Sequence, residues 1–392
     1  MSDIKHVYLD NSATTKISDE ALKKYNEVSR DIFGNPSSLH SFGLLAEKEL
    51  NFSRESILQS IGERDSKVVF TASGSEANNL AIIGRAFAKE RYRRGAKIIT
   101  TKGEHASVSS PISKLREMGF KTAEIPTVNG KIDTDALLSE LSPDVILVSF
   151  MMVNNETGAL YDIAGASAIV KSRCPEALVH TDATQSYMKV KFTKRSIGAD
   201  MITLSSHKIE GPKGVGALVI DNKVIKSRGI SPLILGGGQE GGLRSGTENV
   251  PAIAAFGEAV RQKIKSIDTD IEKMNALRDH LINMIKENRE LSEITLTLPE
   301  SHAPHILNIT MPSIKSETVL HFLSSLGIYV SSGSACSSNS RDISSALTAY
   351  GKSKDEADCS IRISFSPRNE KEDVDALCSA LHEALSRLAR RR

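Results

Sequence analysis

Ala177-Leu-Val-His-Thr-Asp-Ala-Thr-Gln185, followed by Met201-Ile-Thr-Leu-Ser-Ser-His-Lys208, decides how this chain folds. Each stretch opens as a short apolar run and closes on polar residues, the pattern of a buried strand that ends in a turn. Comparable runs occur at Val68-Val-Phe-Thr71, Lys97-Ile-Ile-Thr100, Val145-Ile-Leu-Val-Ser-Phe150 and Val215-Gly-Ala-Leu-Val-Ile220. They alternate with helical patterns through the first two thirds of the chain, which predicts an α/β fold with a mainly parallel sheet covered on both faces. Open sheets of this kind bind ligands beyond the C-terminal ends of their strands. Asp182 and Lys208 both fall at such ends.

Composition narrows the field. The 392 residues are 40% hydrophobic and 25% charged, an ordinary globular balance with ample length for two domains. A net charge of +2 gives no reason to invoke nucleic acid. No apolar run approaches a membrane span, and the N-terminus has no signal core. Cys174, Cys336, Cys359 and Cys378 form neither a zinc signature nor a disulfide framework, so the expectation is no metal site and a reducing, cytoplasmic compartment.

Glu258 to about Arg289 reads as a long charged helix that carries the chain into a second unit. There His305–Thr310 and Ser360–Phe365 alternate at period two, and Val374, Leu377, Cys378, Leu381, Leu385 and Leu388 mark one face of a closing helix. The expected division is a large domain at 14–262 and a smaller α+β domain built from 1–13 and 263–392.

An acid at one strand end and a lysine after another suit pyridoxal phosphate. That cofactor needs an amine for its Schiff base and a carboxylate to keep its ring nitrogen protonated. Around them, Ala72-Ser-Gly-Ser75 lies where a strand turns into a helix, so it is either a phosphate turn or an ordinary turn capped by Ser75. Ser205 and His207 flank the lysine closely enough to reach the same phosphate. His105 follows another strand and could pass protons near neutral pH. Asn155 offers an amide, and Gln185 is placed to reach a ring hydroxyl. Cys336, set among serines, a glycine and an alanine, has no large neighbours in sequence to pack against and reads as a reachable nucleophile; Cys174, Cys359 and Cys378 read as buried small hydrophobes. Arg362 shares one side of its strand with Ser360 and Ser364 and could clamp a carboxylate in bidentate fashion.

Together these stretches resemble the cysteine desulfurases of the iron–sulfur-assembly and nitrogen-fixation type, in the class V aminotransferase group. The resemblance runs through YLDNSATT (8–15), GNPSSLH (34–40), FTASGSEANN (70–79), GEH (103–105), VNNETG (153–158), HTDATQS (180–186), SSHKIEGPKGVGAL (205–218), RSGTENV (244–250) and SSGSACSS (331–338). It implies a PLP-dependent fold of type I and a homodimer that turns L-cysteine into L-alanine and leaves a persulfide on Cys336. A sulfur-acceptor protein, either a cluster scaffold or a tRNA-thiolation enzyme, would take the sulfur on. It implies Lys208 as the cofactor lysine, Asp182 as the ring-nitrogen partner and His105 as the stacked acid/base. The phosphate would rest on Gly74, Ser75, Ser205 and His207, with Thr247 reaching in from the second subunit. Asn155 and Gln185 would touch the cofactor, and Arg362 the substrate carboxylate. Selenocysteine lyase shares these motifs, and a non-catalytic sulfur relay would use Cys336 alone. Intact Lys208, Asp182 and His105 argue against the relay. Ser75, Ala72 and Ala77 depart from the usual family residues but stay small. Glu210 stands where an aromatic or apolar residue is more usual.

Overall fold

The computed structural model describes residues 6–88, 95–332 and 344–388. Seven described strands form the central sheet, in the order Ser66–Thr71, Gly216–Asp221, Met201–Ser205, Leu178–Asp182, Val145–Met151, Lys97–Thr101, Lys121–Ile125. The last five pair in parallel; Gly216–Asp221 alone runs antiparallel to both of its neighbours. That reversal lets the chain double back after Lys208 through a short connection instead of a crossover helix. All strands but that one therefore end on the same side, and the polar strand ends converge there.

The sheet is buried on both faces because its strands carry apolar side chains at consecutive positions. Val68, Phe70, Ala217, Val219, Ile202 and Leu204 enter one core, while Val69, Leu218, Ile220 and Met201 enter the other. The strand before the Ala72–Ser75 turn is followed by a helix that begins at Gly74, inside the turn itself. The cap is Ser73, whose Oγ accepts the Glu76 N–H at 3.1 Å, so Ser75 lies within the first turn instead of capping it.

The long helix spans Val250–Glu287, 38 residues and about 57 Å. It starts eight residues before the expected Glu258, with Asn249 accepting the Ala252 N–H at 3.3 Å. Its first turns escape a periodicity reading because Ala252–Val260 is buried on most sides and shows no polar face. That end packs in the core of the large sheet, together with helices Asp19–Asp31 and Ser41–Ser60. The other end, from Met274 to Ile285, packs in a separate core. There a four-stranded antiparallel sheet runs in the order Thr295–Thr297, Ile306–Thr310, Ser360–Ser364, Ser331–Ser332, under helices Ser316–Ser325 and Lys371–Leu388. The chain's start joins this second core, since Val7–Tyr8 pairs with Ile328–Tyr329 and both Val7 and Leu9 are buried in it. Asp10–Thr15 then crosses from the small core to the C-terminal edge of the large sheet.

Candidate active site

A cavity of about 510 Å³ opens between the strand ends of the large sheet and the small sheet. Gly74, Ser75, His105, Asn155, Asp182, Gln185, Ser205, His207, Lys208 and Arg362, each singled out from sequence, line it. Thr247 does not; it lies exposed in the segment before the long helix. Cys336 lies outside the described residues.

The turn at Gly74 is shaped by close approaches. A Cβ at Gly216 would fall 2.5 Å from the Ser73 carbonyl carbon and 2.7 Å from the Gly74 nitrogen, so only glycine lets that strand abut the turn. A Cβ at Gly74 would meet Ser205 Cβ and Thr184 Oγ1 at 3.2 Å. The result is a helix N-terminus with small hydroxyl residues around it, which suits an anion. His207 adds a neutral imidazole: burial and then Lys208 bring its pKa down to about 4, and its Nδ1 lies 3.1 Å from Thr14 Oγ1.

Asp182 ends its strand 6% exposed. Its Oδ2 accepts from Asn78 Nδ2 at 2.8 Å and its Oδ1 from the Thr184 N–H at 2.9 Å. Asn78 also donates to Ser107 Oγ at 2.8 Å, and that hydroxyl lies 2.8 Å from His105 Nδ1. A hydrogen-bonded chain therefore links His105 to Asp182. His105 caps the helix Ala106–Glu117 by accepting the Ser107 N–H on Nδ1, which assigns its proton to Nε2 when neutral. Burial sets its pKa below the ordinary value, with Asp182 opposing and Lys208 assisting. Beneath it the Glu104 carboxyl accepts from Thr101 Oγ1 and the Met151 N–H, and burial pushes it up to about 8.

Lys208 closes a 3₁₀ turn after the strand Met201–Ser205, and its Nζ donates to the carbonyls of Ser12 and Ala13 at 2.6 and 2.7 Å. Gln185 donates to the same Ser12 carbonyl at 2.9 Å. Arg362 is 6% exposed; its guanidinium donates to the Asn155 carbonyl at 2.8 Å and to Asp10 Oδ1 at 2.9 Å. Ser331 pairs with Arg362 in the small sheet, and Ser344 donates to Glu156 at 2.5 Å. The last described residues on both sides of the segment 333–343 thus stand beside cavity-lining residues.

The wall fits pyridoxal phosphate. It supplies an anion cradle, a buried carboxylate at the sheet's centre and an amine opposite. Ser12 Oγ, Asn78 Oδ1 and Arg362 Nε are buried there without protein partners. Asn78, Ser107, Glu104 and Asp10 were not singled out from sequence. Asn78 and Asp10 lay inside quoted motifs, but only the fold reveals that they hold Asp182 and Arg362.

The chain matches the Aminotransferase class-V family over residues 7–377. It is 36% identical to a protein named cysteine desulfurase IscS from Dictyoglomus turgidum, covering 98% of this chain and 95% of that one. Among solved structures, a NifS-like protein superposes with a TM-score of 0.90 at 33% identity, covering 98% of this chain and 100% of that one. A structure described as SspA in complex with cysteine gives 0.79 at 30% identity, covering 93% and 99%.

Proposed function

The chain belongs to the class V aminotransferase family of pyridoxal-phosphate-dependent enzymes, among its cysteine desulfurases, and we propose that it converts L-cysteine to L-alanine while Cys336 accepts the sulfur as a persulfide. The observation that carries this reading is the convergence of Lys208, Asp182, His105 and Arg362 on one cavity. Bound there, pyridoxal phosphate would supply an electron-accepting ring that draws charge from the amino acid's α-carbon through its amino nitrogen.

This chain's residues do the rest. Gly74, Ser75, Ser205 and His207 would hold the phosphate, with Thr247 of the partner subunit. Asp182, fixed by Asn78 and Thr184, would accept from the ring nitrogen. Gln185 and Asn155 line the cavity where the cofactor ring would be held, and His105 would serve there as a proton donor or acceptor. Arg362 takes the substrate carboxylate through its planar fork, exchanging part of its bond to Asp10 for it. Lys208 takes the proton from the α-carbon and returns one. The Cys336 thiolate attacks the substrate sulfur; the S–S bond forms as the C–S bond breaks, and the carbon that loses sulfur gains a proton. L-cysteine and a thiol thus become L-alanine and a persulfide, with no outside oxidant. The persulfide sulfur then passes to an acceptor protein for iron–sulfur cluster, thio-cofactor or tRNA-thiolation chemistry.

A homodimer is part of the reading. Phe33, Leu39, Phe42, Leu45 and Phe52 are exposed near one another in sequence, Leu39 at 96%, and Leu235 stands out at 79%. So large a set of uncovered apolar side chains supports burial against a second copy. The domain division at 262/263 is supported by the two cores that the ends of the long helix enter. A cytoplasmic setting is supported by the free thiols Cys174, Cys359 and Cys378. Among the described residues no helix is long and apolar enough to cross a membrane.

The deciding experiment is Cys336→Ser. It removes the sulfur acceptor and leaves the other residues of the site in place. Alanine formation from L-cysteine should stop, and the one-sulfur mass gain on wild-type protein should vanish from the peptide holding residue 336. Undiminished alanine formation would overturn the persulfide route.

A further inference from the structure

Glu210 departs from the family pattern two residues after Lys208, and its surroundings give it a role. Its backbone is left-handed, with φ 65°, and is held there by its N–H to Thr15 Oγ1 at 2.7 Å and its carbonyl from the Ser18 N–H at 2.8 Å. The side chain lines a separate cavity of about 20 Å³, on a seam that also includes Lys189, Lys208, Lys263 and Phe365. There Oε1 accepts from Lys263 Nζ at 2.9 Å and Oε2 from Arg368 Nε at 3.1 Å.

These two partners belong to different bodies. Lys263 lies on the long helix between the end buried in the large core and the end buried in the small one, and a second bond to Asp270 at 2.8 Å steadies it. Arg368 follows the strand that carries Arg362, next to Asn369, which donates to the Tyr8 carbonyl at 3.0 Å. A single carboxylate therefore joins the Lys208 turn, the connecting helix and the small sheet. Its exposure is 10% and that of Lys263 is 13%, so the pair is shielded from the screening that makes surface ion pairs weak. Removing the carboxylate would leave the shielded Lys263 with Asp270 alone and facing Arg368, which is 40% exposed, across the seam, the costly way to break such a contact.

We infer that Glu210 is a positioning residue that sets where the small sheet, and with it Arg362, stands relative to Lys208. The consequence for substrate rests on the desulfurase reading above, because it is there that Arg362 meets the carboxylate. Displacing Arg362 by a fraction of an ångström weakens the grip on L-cysteine before it weakens proton transfer by Lys208.

The test uses Glu210→Gln, which keeps size and hydrogen-bonding capacity, and Arg368→Met, which removes the partner from the other side. Each should raise KM for L-cysteine about tenfold with kcat within about twofold, and the double variant should be no worse than either alone. In the cofactor-free chain, amide exchange should quicken in the peptide spanning 360–369 for both variants. A fall in kcat at unchanged KM, additive losses in the double variant, or unchanged exchange would overturn the inference. The exchange measurement needs no turnover. It decides the matter even for a chain that leaves L-cysteine untouched, a result that would sink the desulfurase reading instead.

Discussion

Asn78 offers a direct test of how the cofactor's acid is held. Its amide nitrogen bonds both Asp182 Oδ2 and Ser107 Oγ at 2.8 Å, while its Oδ1 has no partner. Asn78→Ala leaves a buried carboxylate with one named donor, the Thr184 N–H. A hydrogen bond to a charged group contributes about 1.5–3 kcal/mol, so pyridoxal phosphate should bind roughly 10- to 150-fold more weakly. Asn78→Asp is nearly isosteric but puts an acceptor where the donor was. Two carboxylates so close repel by several kcal/mol at an effective dielectric of about 20, so the loss should exceed that of alanine by at least about tenfold. Lowering the pH should recover part of it, because a proton shared by the two carboxyls replaces the missing donor. The assay is equilibrium titration of the cofactor-free chain, with circular dichroism to establish that each variant is folded. Asn78→Asp binding as tightly as Asn78→Ala at neutral pH would refute the reasoning.

Lys208→Ala should abolish turnover and prevent covalent capture of the cofactor on borohydride reduction; a reduced adduct at another lysine with retained alanine production would contradict the assignment. Burial raises the Glu104 carboxyl from 4.5 to about 8. Between those values the fold keeps a proton that the unfolded chain has released, so this group's contribution to stability falls as pH rises through that window. Glu104→Gln, neutral throughout, should flatten the decline, by on the order of 1–3 kcal/mol between pH 5 and 8 in denaturant titrations; an unchanged slope would count against it. Leu39→Asp should shift sedimentation toward monomer and weaken cofactor retention, and a stable, fully loaded dimer would argue that this face is free.

The sheet was legible because burial on both faces leaves unbroken apolar runs, and the site was legible because its residues end those runs. The pairing order of the strands was not, since a run such as Val215–Ile220 carries no mark of its direction. Helices Asp19–Asp31 and Ser41–Ser60 escaped notice for a different reason: they hide narrow faces, with Ala21 and Val28 buried in the first and Ala46, Leu50 and Ile57 in the second. The supporting shell was the hardest to read. Asn78 lies 104 residues from Asp182, and Asp10 lies 352 residues from Arg362. Nothing local in either motif announces its distant partner, because the bond exists only once the chain has folded. Glu210 was visible as an anomaly, and its meaning waited on Lys263 and Arg368.

The shared helix Val250–Glu287 has a thermodynamic corollary. A rod whose two ends are embedded in different cores cannot fray at one end without loosening the lattice of contacts at the other. The expected outcome is that the two halves melt together, and scanning calorimetry that resolved two transitions would show that the shared helix does not couple them. A ligand seated between the sheets would lift that common transition by mass action, so helices far from it in either half would gain protection as well.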